Sequence, residues 1–457
     1  MKKVAPILFS LILFLMLPLN TFASTLDDIK AIIESDYVGE IDGVLQSATT
    51  IEDVIEMLDP YSAYFTAQEY AAFTDSVDLK SVGIGVVIEK HEKGILIVDV
   101  IENGSAHKSD IVPGDIITKV GNRSTVDMTM EEAQSLILGE ENTKVVLTIL
   151  KSTGTTVEKL IMRQSFTLPN VTTDLLYGNV GYISLNSFSM DGAKLVANAY
   201  NNLKNQGATL FILDLQYNGG GYVSTAEELI GMFPNALNAY RLRLSTGIYV
   251  TPAIKQTTQF PANTRVLVNR FSASASEMTA AALLDQKSAI LYGETTYGKG
   301  TMQGFYELSD GSYLKLTIGE FIGPKGTLVK GVGVTPNIVT ATEPLYQAHY
   351  DSIKSKLTNY KELKSLKNVP TTKTFNITFN KEISEAISED SIELIELGGD
   401  PIEFSYKVNG KQLMITPKER LTPGAEYMLL THPSIKDTKG KTLKTGIYLH
   451  ITVKAEE

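Results

Sequence analysis

The sequence predicts a multidomain α+β protein with an α/β core in the middle of the chain. Three observations support this prediction. The length of 457 residues suggests about three domains at ~150 residues each. Strand and helix patterns alternate over residues 166–340, and from residue 369 onward strand patterns with turn signals take over. Hydrophobic residues make up 43% of the chain and charged residues 20%, which excludes collagens, disordered acidic tails and polytopic membrane proteins.

The net charge and the residue composition exclude several classes of partner and of catalytic or metal site. The chain carries 41 basic and 52 acidic residues, a formal net charge of −11, which disfavours duplex nucleic acid as a partner. It contains no cysteine, so disulfide frameworks, zinc–thiolate sites and cysteine nucleophiles are excluded. None of its five histidines lies between residues 166 and 340, so a Ser-His-Asp triad would need a histidine from another domain.

The first residues have the pattern of a signal peptide. Lys2 and Lys3 precede an apolar run over residues 4–19, and Thr21-Phe22-Ala23 supplies small residues where a signal peptidase reads. We expect residues 1–23 to be removed after Ala23, and the protein to work outside the cytoplasmic membrane as a secreted or envelope-associated protein. An uncleaved N-terminal anchor is the alternative, although the run is short for a full membrane span.

Residues 24–165 predict a helical segment followed by a β-rich module. Apolar residues recur at helical spacing over 26–33 and 51–58, so residues 24–76 are expected to form short helices, the second ending at Asp59-Pro60. Residues 77–165 read as short strands with one helix at 129–138, which Thr129 and Glu132 would open as a capping box.

Residues 166–340 predict a layered α/β fold. Strands are expected at 180–185, 209–215 and 265–269, and helices at 191–205, 224–233 and 275–285. Residues 341–368 are expected to contain a lysine-rich helix at 352–366 that acts as a linker. Residues 369–455 predict a β-sandwich.

A candidate nucleophile lies in the turn Phe271-Ser272-Ala273-Ser274-Ala275-Ser276-Glu277. An apolar strand enters this turn of small residues and a helix leaves it near Ser276. A serine on such a turn is exposed beside the free N–H groups of a helix N-terminus, which suit a developing oxyanion. Because Ser274-x-x-Glu277 is also the spacing of a capping box, a structural role is the alternative.

A serine nucleophile needs a base, and a lysine can serve if burial disfavours its charged form and lowers its pKa. Lys299 is flanked by Gly298 and Gly300, which let the backbone approach closely, and Gln303 lies four residues further on, where it could orient the amine. The alternative for Lys299 is a solvated loop lysine.

Together these segments resemble the carboxyl-terminal processing peptidases, also called tail-specific proteases. The resemblance covers about residues 25–340 and rests on segments in the family's order: 58–62, 214–221, 272–277, 293–303, 315–317, 324–326 and 333–336. It implies that Ser274 is the nucleophile, Lys299 the general base and Gln303 the residue that positions the base. It also implies an oxyanion hole formed by the N–H groups of Ala275 and of Gly220 or a glycine next to it.

The resemblance implies no cofactor, and Asp214 and Asn218 on one loop are too few side chains for a metal site. The chain departs from the family at two positions. Gln216 stands where the family usually has arginine, and Gly219 where it usually has proline. Neither change touches the nucleophile or the base.

Residues 77–165 resemble a PDZ domain. Gly83, Ile84, Gly85 and Val86 fit the loop whose N–H groups bind a chain-terminal carboxylate, and a peptide would add as a strand beside residues 86–88. A simple β-turn is the alternative for this loop. Arg163 matches an arginine of the family that could couple the module to the active site.

Residues 369–455 resemble the Ig-like domains of bacterial surface-layer proteins, on segments 369–370, 375–380, 413–417, 421–427 and 435–440. The expected role is accessory, either envelope attachment, substrate contact or spacing.

The expected function is a secreted serine endopeptidase with a Ser-Lys dyad and a PDZ module that binds substrate C-terminal tails. The expected partners are proteins or peptides with exposed C-terminal tails, with envelope attachment and a homodimer as further possibilities. A non-catalytic PDZ–Ig adaptor is the alternative, and a peptidase inhibited at rest by its PDZ module is a third hypothesis.

Overall fold

The computed structural model describes residues 24–102 and 104–455, so the signal peptide predicted for residues 1–23 lies outside the described residues. The chain forms two compact units. The first contains residues 24–67 and 303–317, and the second contains residues 68–302 and 318–455. Within the described ranges, no helix is both long and apolar enough to cross a membrane.

The N-terminal segment is helical, as the apolar spacing predicts. Its elements are α1 (Thr25–Asp36), a 3₁₀ turn (Leu45–Ser47), α2 (Ile51–Glu56), β1 (Ala63–Phe65) and α3 (Ala67–Val77). The first two helices begin at capping boxes, in which the hydroxyls of Ser24 and Thr50 accept the N–H groups of Asp27 and Asp53.

The β-rich module follows. Its elements are β2 (Lys80–Gly83), β3 (Val86–His91), β4 (Gly94–Val100), a 3₁₀ turn (His107–Ser109), β5 (Ile116–Val120), β6 (Arg123–Ser124), α4 (Met130–Ile137), β7 (Lys144–Leu150), β8 (Thr156–Met162) and β9 (Gln164–Thr167). β3, β4, β5, β7 and β8 form one sheet in that order, with β6 paired to β5. β2 and β9 pair with each other, so the module enters and leaves the rest of the chain through adjacent strands. The Thr129–Glu132 capping box opens α4 as predicted.

Strands and helices alternate through the core, as the sequence pattern predicts. The elements are β10 (Val171–Leu176), β11 (Val180–Leu185), α5 (Gly192–Asn205), β12 (Leu210–Asp214), α6 (Val223–Ile230), β13 (Asn238–Leu244), β14 (Gly247–Pro252), β15 (Arg265–Val268), α7 (Ala275–Gln286), β16 (Ile290–Gly293), β17 (Thr301–Glu307), β18 (Tyr313–Ile322), β19 (Ile338–Val339) and α8 (Pro344–Lys354). The main sheet has the order β10-β11-β12-β15-β16-β19, and every pair in it except β10–β11 is parallel.

The core sheet is covered on both faces, which explains why its central strands β12 and β15 are buried along their whole length. α5, α6 and α7 bury one face, with Val196, Ala226 and Ala281 fully enclosed. α8 covers the other face, where Ala348 packs against Ile212. In the first unit β1 pairs with residues 313–315, and in the second β13 pairs with β14 and with residues 320–322.

The prediction of a helical linker at 352–366 is wrong. The helix is α8, which ends at Lys354, and residues further on form strands of the C-terminal sandwich. α8 is a buried structural element because its two sides pack against different layers: Ala348 against the core sheet, and Ile353 against the sandwich. The lysines after residue 354 suggested a continuing solvated helix, but Lys361 and Lys367 lie on exposed positions of strands, and Lys356 and Lys364 lie in exposed loops.

His349 on α8 links the core to the sandwich. Its ring is fully buried, with Nε2 2.9 Å from the carbonyl oxygen of Tyr177, while Nδ1 accepts the N–H of Gly398 at 2.8 Å. Accepting at Nδ1 requires the neutral ring, and burial lowers the pKa of His349. The neutral histidine therefore joins the two layers by one accepted and one donated bond.

The C-terminal sandwich has two sheets. Its elements are β20 (Tyr360–Glu362), β21 (Leu366–Val369), β22 (Phe375–Thr378), a 3₁₀ turn (Glu389–Ser391), β23 (Ile392–Glu396), β24 (Phe404–Asn409), β25 (Gln412–Pro417), β26 (Glu426–Thr431) and β27 (Gly446–Val453). One sheet has the order β20-β27-β26-β23, with β21 also on β27, and the other has the order β22-β25-β24. Leu394, Leu413, Ile415 and Ile451 are fully buried between them.

Candidate active site

Three loops of the core meet at one edge of the main sheet. They follow β12, β15 and β16 and span residues 215–222, 269–274 and 294–300. These three strands are neighbours and run parallel, so their carboxyl ends lie at the same edge. The fold thus places the predicted oxyanion loop, the predicted nucleophile and the predicted base on adjacent loops.

The three serines of the turn after β15 differ in their surroundings. Ser272 and Ser276 are fully buried, and their hydroxyls donate to the carbonyl oxygens of Leu215 and Asn218, each at 2.8 Å. These two bonds fasten the turn to the loop after β12. Ser274 is only partly buried and has φ +57° and ψ −111°, a costly conformation for a residue with a Cβ. Of the three, Ser274 is therefore the serine held in a strained turn at the edge of the sheet.

Gly220 lies directly against Ser274. A Cβ added to Gly220 would lie 2.8 Å from Ser274 Cβ and 3.0 Å from the backbone nitrogen of Ala275, and its φ is +105°. The structure therefore brings these three predicted site residues together, and only glycine fits here. The N–H of Gly220 donates to Asn218 Oδ1 at 2.9 Å. Ala275 is the first residue of α7, where backbone N–H groups have no acceptor within the helix.

Glu277 joins the nucleophile loop to the base loop. Its side chain is fully buried, and one carboxylate oxygen, Oε2, accepts the backbone N–H groups of Ser274 and Lys299, both at 2.9 Å. The other oxygen accepts the Thr296 hydroxyl at 2.7 Å and the Gly298 N–H at 2.6 Å. Four donors are the compensation that a buried carboxylate needs.

The shared oxygen fixes the backbones of Ser274 and Lys299 close together, since the two nitrogens can be no further apart than the sum of their distances to it. Sequence reasoning assigned Glu277 only to a possible capping box. The Ser-x-x-Glu spacing signalled the bond to Ser274, but no local signal pointed to the bonds with Thr296, Gly298 and Lys299.

Lys299 is partly buried in a loop of closely packed backbone. Gly298 has φ +94° and Gly300 has φ +49°, and a Cβ on Gly300 would lie 2.3 Å from the nitrogen of Lys330. The carbonyl of Gly298 accepts the N–H of Gly331 at 2.8 Å. The two glycines therefore permit the close backbone approach that the sequence predicts.

Gln303 lies in the first unit and is held there by hydrogen bonds. Its Nε2 donates to Thr317 Oγ1 at 3.2 Å, and that hydroxyl donates to Asp59 Oδ1 at 3.1 Å. The N–H of Thr317 donates to Ser62 Oγ at 3.1 Å. The motif that begins at Asp59 thus anchors the side chain of Gln303 through Thr317, a connection that the sequence did not reveal.

Comparison with known proteins places the chain in a family. A family model described as "Peptidase family S41" matches residues 179–340. "Carboxy-terminal processing protease CtpA" of Bacillus subtilis (strain 168) is 33% identical over 67% of this chain and 66% of its own length. "Probable CtpA-like serine protease" of Staphylococcus aureus (strain COL) is 30% identical over 77% of this chain and 68% of its own length. The chain belongs to the CtpA-like serine proteases of peptidase family S41.

Two further family models match this CtpA-like chain, a PDZ domain at residues 96–151 and a bacterial Ig-like domain at 363–450. They confirm the predicted fold class, with a PDZ module, a peptidase core and an Ig-like sandwich. A solved photosystem II D1 C-terminal processing protease is 23% identical over 72% of this chain and 95% of its own length, with a TM-score of 0.46. The matched region spans about two thirds of the length of the two CtpA relatives.

The predicted carboxylate-binding loop of the PDZ module lies between β2 and β3. Gly85 has φ +77°, and the carbonyls of Ile84 and Gly85 accept the N–H groups of Ala106 and Ile101 at 2.8 and 3.0 Å. Gly83 packs on the end of α4, where an added Cβ would meet Leu138 at 2.8 Å. Among the described strands β3 pairs only with β4, so its other edge is open to an added strand.

Arg163 has a structural role inside the module. Its Nε and Nη2 donate to the carbonyls of Ile137 and Leu136 at 2.9 and 2.8 Å, which caps the C-terminal end of α4. Nη1 donates to Thr143 Oγ1 at 3.1 Å. The coupling of this arginine to the active site stays a prediction.

Gln216, one of the two departures of this CtpA-like chain, lies between two acids. When the side-chain amide is oriented so that its nitrogen faces both carboxylates, this nitrogen donates to Glu343 Oε1 at 2.9 Å and to Asp214 Oδ2 at 3.2 Å. Burial raises the pKa of Asp214 to about 6, against the smaller opposing effects of its bonds from the Gln216 N–H and the Tyr182 hydroxyl. An arginine at 216 would supply the positive charge that this pair of carboxyls lacks.

In the part of the chain that the structure describes, no group of three or more acidic or histidine side chains could hold a metal.

Proposed function

We propose that this protein is a secreted serine endopeptidase in which Ser274 is the nucleophile and Lys299 the general base. The observation that carries the proposal is the buried carboxylate of Glu277, whose Oε2 binds the backbone N–H groups of both residues. A preorganised pair of this kind is what a serine hydroxyl needs in order to lose its proton.

In the proposed reaction, the neutral amine of Lys299 takes the proton of Ser274 Oγ as that oxygen attacks the scissile carbonyl carbon. The tetrahedral intermediate collapses when the protonated amine gives its proton to the leaving amino group, which leaves an acyl-enzyme. Water then attacks the ester with Lys299 again acting as base, and the serine is released.

The N–H groups of Ala275 and Gly220 would stabilise the oxyanion. Because the Gly220 N–H donates to Asn218 Oδ1, its proposed role requires that this bond be exchanged for one to the oxyanion. The close packing of Gly220 on Ser274 and Ala275 supports this assignment.

Gln303 is proposed to position the amine of Lys299, from which it is four residues away in the chain. An amide nitrogen donates and does not accept, so the carbonyl oxygen of Gln303 is the atom that would accept from the lysine. The anchoring of Thr317 by Asp59 supports a fixed orientation of the side chain.

The PDZ module is proposed to bind the C-terminal tail of the substrate, with the carboxylate at Gly83–Val86 and the peptide as a strand beside β3. A panel of unfolded substrates that differ only in their last residues tests this step. Equal rates and equal binding for all tails would remove the PDZ role and leave the peptidase.

Digestion of an unfolded substrate tests the peptidase itself. Ser274→Ala and Lys299→Ala should each lose activity, while Ser224→Ala and Lys194→Ala, on exposed positions of α6 and α5, should keep it. Equal turnover by all five proteins would instead support the PDZ–Ig adaptor.

Export is tested by the N-terminus of the mature protein, expected at Ser24. Envelope attachment and a homodimer stay predictions.

A further inference from the structure

The Ig-like sandwich has a groove that the proposed peptidase function does not use. It is an open cavity of about 810 Å³ lined by residues from both sheets. Its floor is apolar and includes Leu363, Ile377, Phe379, Leu443 and Ile447. We call this cavity the sandwich groove.

The rim of the sandwich groove is strongly basic. Five exposed lysines line it: Lys361, Lys364, Lys381, Lys441 and Lys444. Asp437 is the one acid of the lining, and it accepts the N–H of Lys441 at 2.9 Å and lies 3.9 Å from the amine of Lys381. In a chain with a net charge of −11, this is a local reversal of sign that attracts anionic groups.

One wall of the groove is a strand with an open edge. β22 pairs only with β25 among the described strands. The N–H of Phe379, just beyond β22, donates towards β25, to the carbonyl of Lys411 at 2.8 Å. Because backbone groups alternate along a strand, those of Ile377 also face β25, while those of Asn376 and Thr378 face the open edge. Asn376 to Phe379 all line the groove.

We propose that the sandwich groove binds an extended polypeptide segment with alternating apolar and acidic side chains, by strand addition to β22. The open backbone groups of β22 match a peptide backbone, the apolar floor matches one face of an extended chain, and the lysines match acidic side chains on the other. A polyanion without a peptide backbone could use the lysines but neither the strand edge nor the floor. This inference does not depend on the peptidase activity.

Fluorescence anisotropy with the full chain tests the proposal. Ser274→Ala serves as the background so that no peptide is cleaved, and the labelled ten-residue peptide alternates leucine or valine with glutamate. Its C-terminus is amidated, so it lacks the carboxylate that the PDZ loop would bind. We expect saturable binding that weakens as salt is added, and little binding of the same peptide with glutamine in place of glutamate.

Three variants locate the site. Lys364→Glu with Lys444→Glu should weaken binding about tenfold or more through two reversed charges. Thr378→Pro should weaken it similarly, because it removes an N–H from the open edge without removing a bond to β25. Lys407→Glu, on an exposed position of β24 outside the groove, should change nothing.

Peptides that carry N-methyl groups at alternate positions test strand addition without altering the protein, which matters if Thr378→Pro does not fold. They should lose binding. Inorganic polyphosphate that competes fully, together with N-methylated peptides that bind as well as the parent, would overturn the proposal in favour of a general polyanion site. Binding that survives the double charge reversal would also overturn it.

Discussion

Removal of the Glu277 carboxylate tests how the nucleophile and base are held together. Glutamine at 277 has one acceptor oxygen in place of two. If that oxygen takes the Oε2 position, it keeps the N–H groups of Ser274 and Lys299, and the Thr296 hydroxyl can turn to accept from the amide nitrogen. The Gly298 N–H and the Thr296 hydroxyl hydrogen then lose their acceptor, at a cost of about 1–3 kcal/mol each.

Alanine at 277 removes all four acceptor contacts and leaves a cavity in a fully buried position. We therefore expect Glu277→Gln to lower kcat about 10- to 100-fold and Glu277→Ala to lower it by at least about 1000-fold, with KM for a tailed substrate little changed. The assay is steady-state proteolysis of an unfolded substrate, with circular dichroism to show that each variant is folded. Glu228→Gln on α6 is the matched control and should keep full activity.

If the shared carboxylate aligns Ser274 with Lys299, Glu277→Gln and Glu277→Ala must differ in kcat. If folded Glu277→Ala kept the kcat of the wild type, the shared carboxylate would have no part in aligning Ser274 and Lys299. If both variants lost activity only through KM, Glu277 would act on substrate binding and not on the alignment of Ser274 with Lys299.

Three further predictions follow from the site. Gly220→Ala should lower kcat at least about 100-fold because its Cβ would lie 2.8 Å from Ser274 Cβ, while Gly219→Ala, with nothing within 4 Å, should stay near the wild type in the same kinetic assay. Gln216→Arg should raise the free energy of unfolding in urea by about 1–3 kcal/mol at pH 8 and by much less at pH 5; the exposed Gln206→Arg should show no such pH dependence. Because the base acts as a neutral amine, kcat should rise with pH between about 6 and 9 in protein that stays folded, and a steady fall would contradict the role of Lys299.

The sign of the Gln216→Arg prediction follows from Asp214. Its pKa is raised from 3.8 to about 6 in the folded protein, so the folded state holds a proton that the unfolded state has released between these values. The contribution of Asp214 to the free energy of unfolding therefore falls as pH rises from about 4 to 6, by up to ~3 kcal/mol for a shift of about two pKa units. An arginine favours the ionised carboxyl and restores stability above pH 6, and its effect becomes much smaller as Asp214 becomes protonated.

Much of the fold was predictable because its signals are local. The apolar strands β11, β12 and β15 and the helices between them lie within a few residues of their predicted bounds. The positions of Ser274 and Lys299 on loops after neighbouring parallel strands follow from the same alternation.

The remaining features depend on contacts between distant parts of the chain. Glu277 binds a loop about twenty residues away, and Asp59 binds Thr317, and no periodicity encodes either bond. The helix misplaced at 352–366 shows the same limit, because Leu363 and Leu366 fit either an amphipathic helix or a strand. These residues form strands because β20 and β21 pair with the distant β27.

Mass spectrometry of the protein quenched during turnover tests the Ser274–Lys299 dyad most directly. The account predicts an acyl adduct on the peptide that contains Ser274, absent in Ser274→Ala and in Lys299→Ala. An adduct on another residue, or one that forms in Lys299→Ala at the rate of the wild type, would contradict it.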